Sequence, residues 1–312
     1  MRAPRFTIVM NVCNGERFLA EALSSAFAQT CGDWELIFWD DASTDASAEV
    51  LRGFPADARV RSFRTAERVP LSAARELAIA QARGEWLAFL DQDDVWTHDK
   101  LEKQSRLIDR GGGLLAIVYG RAMRFGEGIA PRDFDHWHEF GRLPEGDIFA
   151  SLFADSCYIC QSTACLRTAA VRAAGPAPAG FTCCHDYFLY TELARHHVAA
   201  AVQDVVCWYR MHPAAMSHSH YNQVQREAIA MAERWRDHLD PPVLRRRLAI
   251  QHTMLGLAEF TSGEARAAGI ARVLRQGSLP YLLSRPFARG LRAVRRAARR
   301  ATAGSPTPPA PT

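Results

Sequence analysis

The sequence predicts an α/β fold: a mostly parallel central sheet flanked by helices, with a helical extension towards the C-terminus. Three observations point there. Strand-like and helix-like segments alternate from Phe6 to Leu90, the order of βαβ units. Runs such as Trp86–Leu90 are apolar throughout, as in strands covered on both faces. From Tyr221 onward the apolar residues recur at helical spacing.

Phe6–Met10 (FTIVM) reads as the first strand, closed by the polar turn Asn11-Val12-Cys13-Asn14-Gly15. Glu16–Gln29 follows as a helix, with Phe18, Leu19, Ala22, Leu23, Ala26 and Phe27 at helical spacing. A strand over Trp34–Trp39 ends in Asp40-Asp41, and Ser43-Thr44 opens the next helix. Arg59–Arg64 is a shorter strand, Ser72–Ala82 a helix, and Trp86–Leu90 a strand running into Asp91-Gln92-Asp93-Asp94. A helix through Leu101, Leu107 and Ile108 begins near Thr97 or Asp99, and Leu114–Tyr119 is the next strand. Residues 121–146 show no period and read as a long loop, which in a compact domain is usually functional. Asp147–Ala154 is a short helix and Tyr158–Leu166 a strand. Behind His185-Asp186 comes an amphipathic helix with Phe188, Leu189 and Leu193 on one side. Helices over Asn222–His238, Pro242–Phe260 and Glu264–Gln276 form the extension. The expected division is a domain over residues 1–220, its halves meeting near residue 110, a helical part over 221–302, and a disordered tail, AGSPTPPAPT, over 303–312.

Composition sets bounds. An apolar fraction of 48% and a charged fraction of 23% are those of an ordinary globular protein, and a net charge of +4 is too small to suggest nucleic acid as a partner. No stretch approaches the ~20 apolar residues of a membrane span. Phe6–Met10 is too short for a signal-peptide core, so a cytoplasmic protein with eight thiol cysteines is expected. Cys157-x-x-Cys160 with Cys183-Cys184 is a poor zinc set, because adjacent cysteines rarely share an ion. Residues 285–300 hold seven Arg and no acid. Phe287, Leu291, Val294 and Ala298 form a stripe in a basic amphipathic helix over 286–301. Such a helix either lies on an anionic membrane surface, at roughly 1 kcal/mol per basic residue, or packs on its own domain.

Three carboxylates at one strand end repel each other unless water or a cation compensates. Mg²⁺ or Mn²⁺ suits Asp91 and Asp93, since hard oxygen ligands bind these ions and leave positions for water and substrate phosphates. An acidic cap on the next helix explains Asp99 but neither Asp91 nor Asp93. In a parallel sheet, Asp40-Asp41 and Asp91–Asp94 both lie at carboxyl ends of strands, where ligands bind.

The stretches TIVMNVCNGERFLAEALSSAFAQT, WELIFWDDASTDAS and SAARELAIAQARGEWLAFLDQDDVW, in this order, resemble the family-two glycosyltransferases of the GT-A fold over roughly residues 5–105. The resemblance implies an Asp of Asp40-Asp41, in preference Asp41, on the nucleotide base, with Asn11 and Cys13 lining the nucleotide. It implies Asp91 and Asp93 as the D-x-D pair that holds Mn²⁺ or Mg²⁺ on the donor diphosphate. Arg75 matches the family Arg and would reach a phosphate or buttress Asp91; a helix-surface salt bridge is the other reading. The sequence departs from the family pattern in three places: Cys13 stands where an aromatic is common, Arg68 and Pro70 replace an Asn and a Gly, and Glu76 replaces an Asn.

HDYFLYTELARH with a later Y-R-x-H looks most like the rhamnosyltransferase branch and other makers of bacterial surface polysaccharides. On that likeness Asp186 is the general base, and His212 lies near the diphosphate or on the metal. Read alone, Asp186 suits a helix N-cap and His212 a loop histidine bonded to backbone. His136-Trp137-His138-Glu139 would form a metal or acid/base cluster, or line the acceptor side or a domain surface. The implied activity is inverting, metal-dependent transfer of a sugar, rhamnose among the candidates, from a nucleotide-diphosphate donor to a glycan or lipid-linked acceptor. Such an enzyme would work in the cytoplasm or on the inner face of the cell membrane. A haloacid-type phosphatase would need its nucleophilic Asp after the first strand, where Asn11-Val12-Cys13 stands. A nucleotidyltransferase would carry a Gly- and basic-rich loop there, and a non-catalytic sugar-nucleotide binder would lack Asp186.

Overall fold

The structure, a computed structural model, describes residues 2–127, 129–133, 141–154, 157–212, 215, 220–262 and 265–277. The cluster His136–Glu139, the basic segment 285–300 and the tail 303–312 lie outside these residues. The chain divides into two compact units, Met1–Ser219 and His220–Thr312.

In the first unit the strands β1 (Phe6–Val12), β2 (Trp34–Asp40), β3 (Val60–Arg64) and β4 (Trp86–Phe89) make a parallel block in the order β3-β2-β1-β4. Helices α1 (Leu19–Phe27), α2 (Ser47–Arg52) and α3 (Leu71–Ala80) are the crossovers. Phe6, Ile8, Leu36, Trp86 and Leu87 are fully buried, which explains the unbroken apolar runs. Each such side chain contributes about 1.5–3 kcal/mol by leaving water.

Register aligns the strand ends. Val12 is opposite Asp40, Val9 opposite Phe89, and Leu90 donates its N–H to Val9 at 3.1 Å. The turn after β1, the Asp40-Asp41 pair and Asp91–Asp94 therefore share one rim of the sheet.

Beyond β4 the sheet becomes mixed. It continues with β8 (Cys165–Arg167), β6 (Leu115–Gly126), β9 (Val198–Arg210) and β5 (Val95–Trp96), and β7 (Ile129–Asp133) pairs with β6. β8 runs antiparallel to β4 and β6, β9 parallel to β6, and β5 antiparallel to β9. The flanking helices are α4 (Lys100–Arg110), α5 (Phe149–Ala154), α6 (Thr168–Ala174) and α7 (His185–Ala194).

Several local expectations are corrected. The strand expected to stop at Tyr119 runs on to Gly126 and returns as β7, so part of the expected loop is sheet. Its outer half is held by pairing with β9, some eighty residues away, which no local pattern reveals. Tyr158–Leu166 is not one strand: a 3₁₀ turn at Gln161–Thr163 interrupts it, because Thr163 turns back onto Cys160 O with both its N–H and its hydroxyl. Ser43 and Thr44 do not open α2; their N–H groups go to Asp40 and Asn14, and the helix starts at Ser47. α7 is not amphipathic, since all its residues except Asp186 and Glu192 are buried.

In the second unit, α8 (Tyr221–Arg234), α9 (Pro241–Ser262) and α10 (Arg266–Gln276) pack as helices. α9 and α10 touch at Gly256 and Gly269, where an added Cβ would meet backbone oxygen at 2.7 and 2.4 Å. No described helix is long and apolar enough to cross a membrane.

Candidate active site

The rim is built around the loop after β4. Asp91 and Asp93 are half-buried, and Asp94 is buried. Burial and the neighbouring Asp91 charge push the Asp93 carboxyl above its ordinary range, while the hydrogen bond from His212 opposes the shift. His212 Nε2 lies 2.8 Å from Asp93 Oδ2. Residues 119 positions apart thus meet, and the ring partner of His212 here is a carboxylate.

Arg75 is buried, so it is not a helix-surface ion pair. Its Nη2 donates to Asp91 Oδ1 at 3.0 Å, and the Asp91 and Asp186 charges together hold the guanidinium protonated against its burial. Asp186 lies in the first turn of α7 and accepts the Tyr187 N–H at 2.8 Å; the N-cap position belongs to Cys184. Burial raises the Asp186 carboxyl, and Arg75 is the main opposing charge.

At the other end of the rim the two adjacent acids part company. Asp40 faces inward, paired with Arg64 and accepting the Ser43 N–H at 2.8 Å. Asp41 Oδ1 accepts the Thr65 hydroxyl at 2.8 Å and the Val69 N–H at 3.1 Å. Cys13 stands between this carboxylate and the D-x-D loop; burial raises its thiol, with the Arg68 charge opposing. Asn11 Nδ2 is buried without a partner among the described residues, a donor left for a ligand or water.

Among the described residues, no three His, Cys, Asp or Glu side chains are arranged to hold a metal ion. Asp93 and His212 converge, whereas Asp91 is turned to Arg75. The donor set nevertheless fits a divalent cation in kind: Mg²⁺-type sites often take one or two carboxylates and complete their shell with waters and substrate phosphates. Cys157 and Cys160 likewise belong to no metal-ligating group among the described residues.

The family profile described as Glycosyl transferase family 2 matches residues 7–174, more than half of the chain. The chain belongs to this family. An uncharacterized glycosyltransferase of Haemophilus influenzae is 39% identical over 105 residues, 33% of this chain and 42% of that protein. The Escherichia coli UDP-Glc:alpha-D-GlcNAc-diphosphoundecaprenol beta-1,3-glucosyltransferase WfgD is 32% identical over 114 residues, 36% of this chain and 44% of that protein. The matched stretch spans less than half the length of these relatives. S. aureus TarS 1–349, solved with UDP-GlcNAc, superposes with a TM-score of 0.66 at 15% identity over 95% of this chain and 92% of that one. The Pyrobaculum calidifontis mannosyltransferase PcManGT, solved with GDP-Man and Mn²⁺, gives 0.58 at 18% identity over 96% and 87%. These likenesses show the GT-A fold.

The family 2 match covers Asn11, Cys13, Asp40, Asp41, Arg75, Asp91 and Asp93, while Asp186 and His212 lie beyond its end. The structure adds residues that sequence reasoning missed. Gln92, the middle residue of D-x-D, is a clamp: its amide accepts the Cys13 N–H at 2.8 Å and donates to Cys13 O at 3.2 Å. Ser162 accepts the Asp91 N–H at 3.1 Å and donates to Asp94 at 2.5 Å. Arg210 gives its N–H to Asp94, its Nε–H to Asp93 O and its Nη2 to Glu21, at 2.8–2.9 Å. These bonds tie the D-x-D loop to the end of β9, two residues before His212. The only signal in the sequence was the Arg inside Y-R-x-H.

Proposed function

We propose that the chain is an inverting, divalent-metal-dependent glycosyltransferase that moves a sugar from a nucleotide-diphosphate donor to a hydroxyl of a glycan or lipid-linked acceptor in cell-surface polysaccharide synthesis. The observation that carries this reading is the meeting of Asp93 with His212 on the rim that also holds Asp91, Arg75 and Asp186. Nucleotide-sugar donors in TarS and PcManGT, and the lipid-diphosphate acceptor named for WfgD, support the substrate classes.

Asp91, Asp93 and His212 would hold Mn²⁺ or Mg²⁺. When bound, the cation neutralises charge on the leaving diphosphate as a Lewis acid. Asp41 accepts an N–H of the base, and Asn11 offers its unpaired Nδ2–H beside it. Arg75 holds Asp91 in place and keeps a positive charge beside Asp186, which favours the ionised form of this partly buried carboxylate and opposes the rise caused by desolvation. Asp186 then takes the acceptor hydroxyl proton as that oxygen attacks the anomeric carbon from the face opposite the diphosphate. One displacement inverts the centre.

The likeness of HDYFLYTELARH and Y-R-x-H to the rhamnosyltransferase branch makes a nucleotide-diphospho-rhamnose the first donor to try. Mass-spectrometric screening of UDP-, GDP- and dTDP-sugars should find metal-dependent release of the nucleotide diphosphate from one class. No release from any of them, with Mn²⁺ or Mg²⁺ present, would reject the transferase reading.

Two results are expected around this core. Asp41→Ala should weaken nucleotide-diphosphate binding and leave kcat nearly unchanged, since a base contact is made equally in ground and transition states. Unchanged affinity for UDP, GDP and dTDP in calorimetry would move the base pocket elsewhere. Removal of residues 285–312 should leave activity largely intact and reduce sedimentation with phosphatidylglycerol vesicles, the intact chain's binding weakening in high salt. Equal sedimentation of both proteins would argue for a basic segment packed on its own domain.

A further inference from the structure

Arg75 and Glu76 are consecutive on α3, and each holds a different part of the proposed catalytic machinery. Arg75 reaches Asp91 of the D-x-D loop. Glu76 Oε1 lies 2.8 Å from His185 Nε2, the residue directly before Asp186. The Glu76 carboxylate therefore has a specific partner in the residue that precedes the proposed base.

His185 is completely buried, in the first turn of α7. Its Nε2 is on Glu76, and its Nδ1 is buried with no hydrogen-bond partner among the described residues. An ionised Glu76 can only accept, so Nε2 carries the proton. Protonating Nδ1 as well would bury an unpaired N–H, so the neutral Nε2–H tautomer is the form that suits this site. Glu76 also accepts the Ala177 N–H at 3.4 Å, from the segment between α6 and α7. The groups around Asp186 are then Arg75 from α3, Asp91 from the D-x-D loop, and His185 and Tyr190 from α7 itself, with Glu76 one step further out on His185.

We infer that Glu76 is a positioning residue for Asp186: by holding His185 through Nε2–H it fixes the first turn of α7, and with it the direction of the base. This rests on the reading of Asp186 as the general base. The consecutive pair Arg75-Glu76 then sets the D-x-D loop and the base in one register from a single helix. A misplacement of about 1 Å is enough to cost on the order of 10²-fold in rate, so the contact can matter without touching substrate.

The test uses the full chain, with Glu76→Ala, Glu76→Gln and Asp186→Asn compared on the UDP-, GDP- and dTDP-sugar panel. Glu76→Ala should lower kcat by about 10- to 100-fold with nucleotide-diphosphate affinity unchanged. Glu76→Gln should recover most of the loss, because its amide oxygen accepts the same N–H. Nitrogen-15 spectra of labelled histidine should show the Nε2–H tautomer at His185 in the wild type and in Glu76→Gln, and lose that fixed signature in Glu76→Ala. Wild-type kcat for Glu76→Ala beside an inactive Asp186→Asn would overturn this inference alone, even if the melting temperature fell. A Glu76→Gln variant as slow as Glu76→Ala would overturn it too. Full activity of Asp186→Asn would instead overturn the base assignment on which it rests.

Discussion

Asp186→Asn should lower turnover by something like 10²–10⁴-fold, the usual worth of a positioned general base, while donor and metal affinity stay the same. The two side chains are nearly the same size, and the Asn carbonyl can still accept the Tyr187 N–H that Asp186 accepts now. Stability is therefore expected to hold. Burial raises this carboxyl in the folded state, so the ionised form is disfavoured by folding. That cost is present above the folded pKa and disappears below the unfolded one, so removing the charge should leave the variant at least as stable at neutral pH. The same raised pKa places the acid limb of wild-type activity above the usual carboxylate range, the rate falling as the base is protonated. A side chain that served only the helix start would predict a variant close to wild type in rate. Normal turnover would move the base to another residue. Product anomeric configuration is a separate check: inversion is expected from NMR coupling constants, and retention would reject the single displacement.

Asp93→Asn should abolish transfer with little change in folding. A neutral amide is a poorer ligand for a hard cation, and at this position it also loses the charge that faces His212. Burial next to Asp91 already makes the Asp93 carboxylate costly to ionise, so the fold does not depend on that charge. Chelation of the wild type with EDTA should reproduce the loss, and Mn²⁺ or Mg²⁺ should restore activity to the wild type alone. Full activity in EDTA would end the assignment of Asp91, Asp93 and His212 to a cation.

The amino-acid sequence by itself determined the parallel half of the sheet and the rim it presents. Trp34–Asp40 and Trp86–Phe89 are buried on both faces, and a strand in that environment has no polar alternation to hide its identity. Where such strands stop, the carboxylates begin, so Asp40-Asp41 and Asp91–Asp94 could be read as one rim from order alone. The long edge pairing of β6 with β9, the short strand β5 and the break at Gln161–Thr163 were decided by tertiary contacts, because their stabilising partners lie far away in the chain. The roles of individual acids were decided there too. Asp40 and Asp41 are neighbours of one residue type, yet Asp40, the last residue of β2, pairs with Arg64, while Asp41, just beyond the strand, is held by Thr65 and Val69. Glu76 looked like a departure from a motif, and only the packing of α3 against the segment before α7 gave it His185 as a partner. A hydrogen bond across 109 positions leaves no periodic trace in a sequence, since its geometry exists only once both helices are in place.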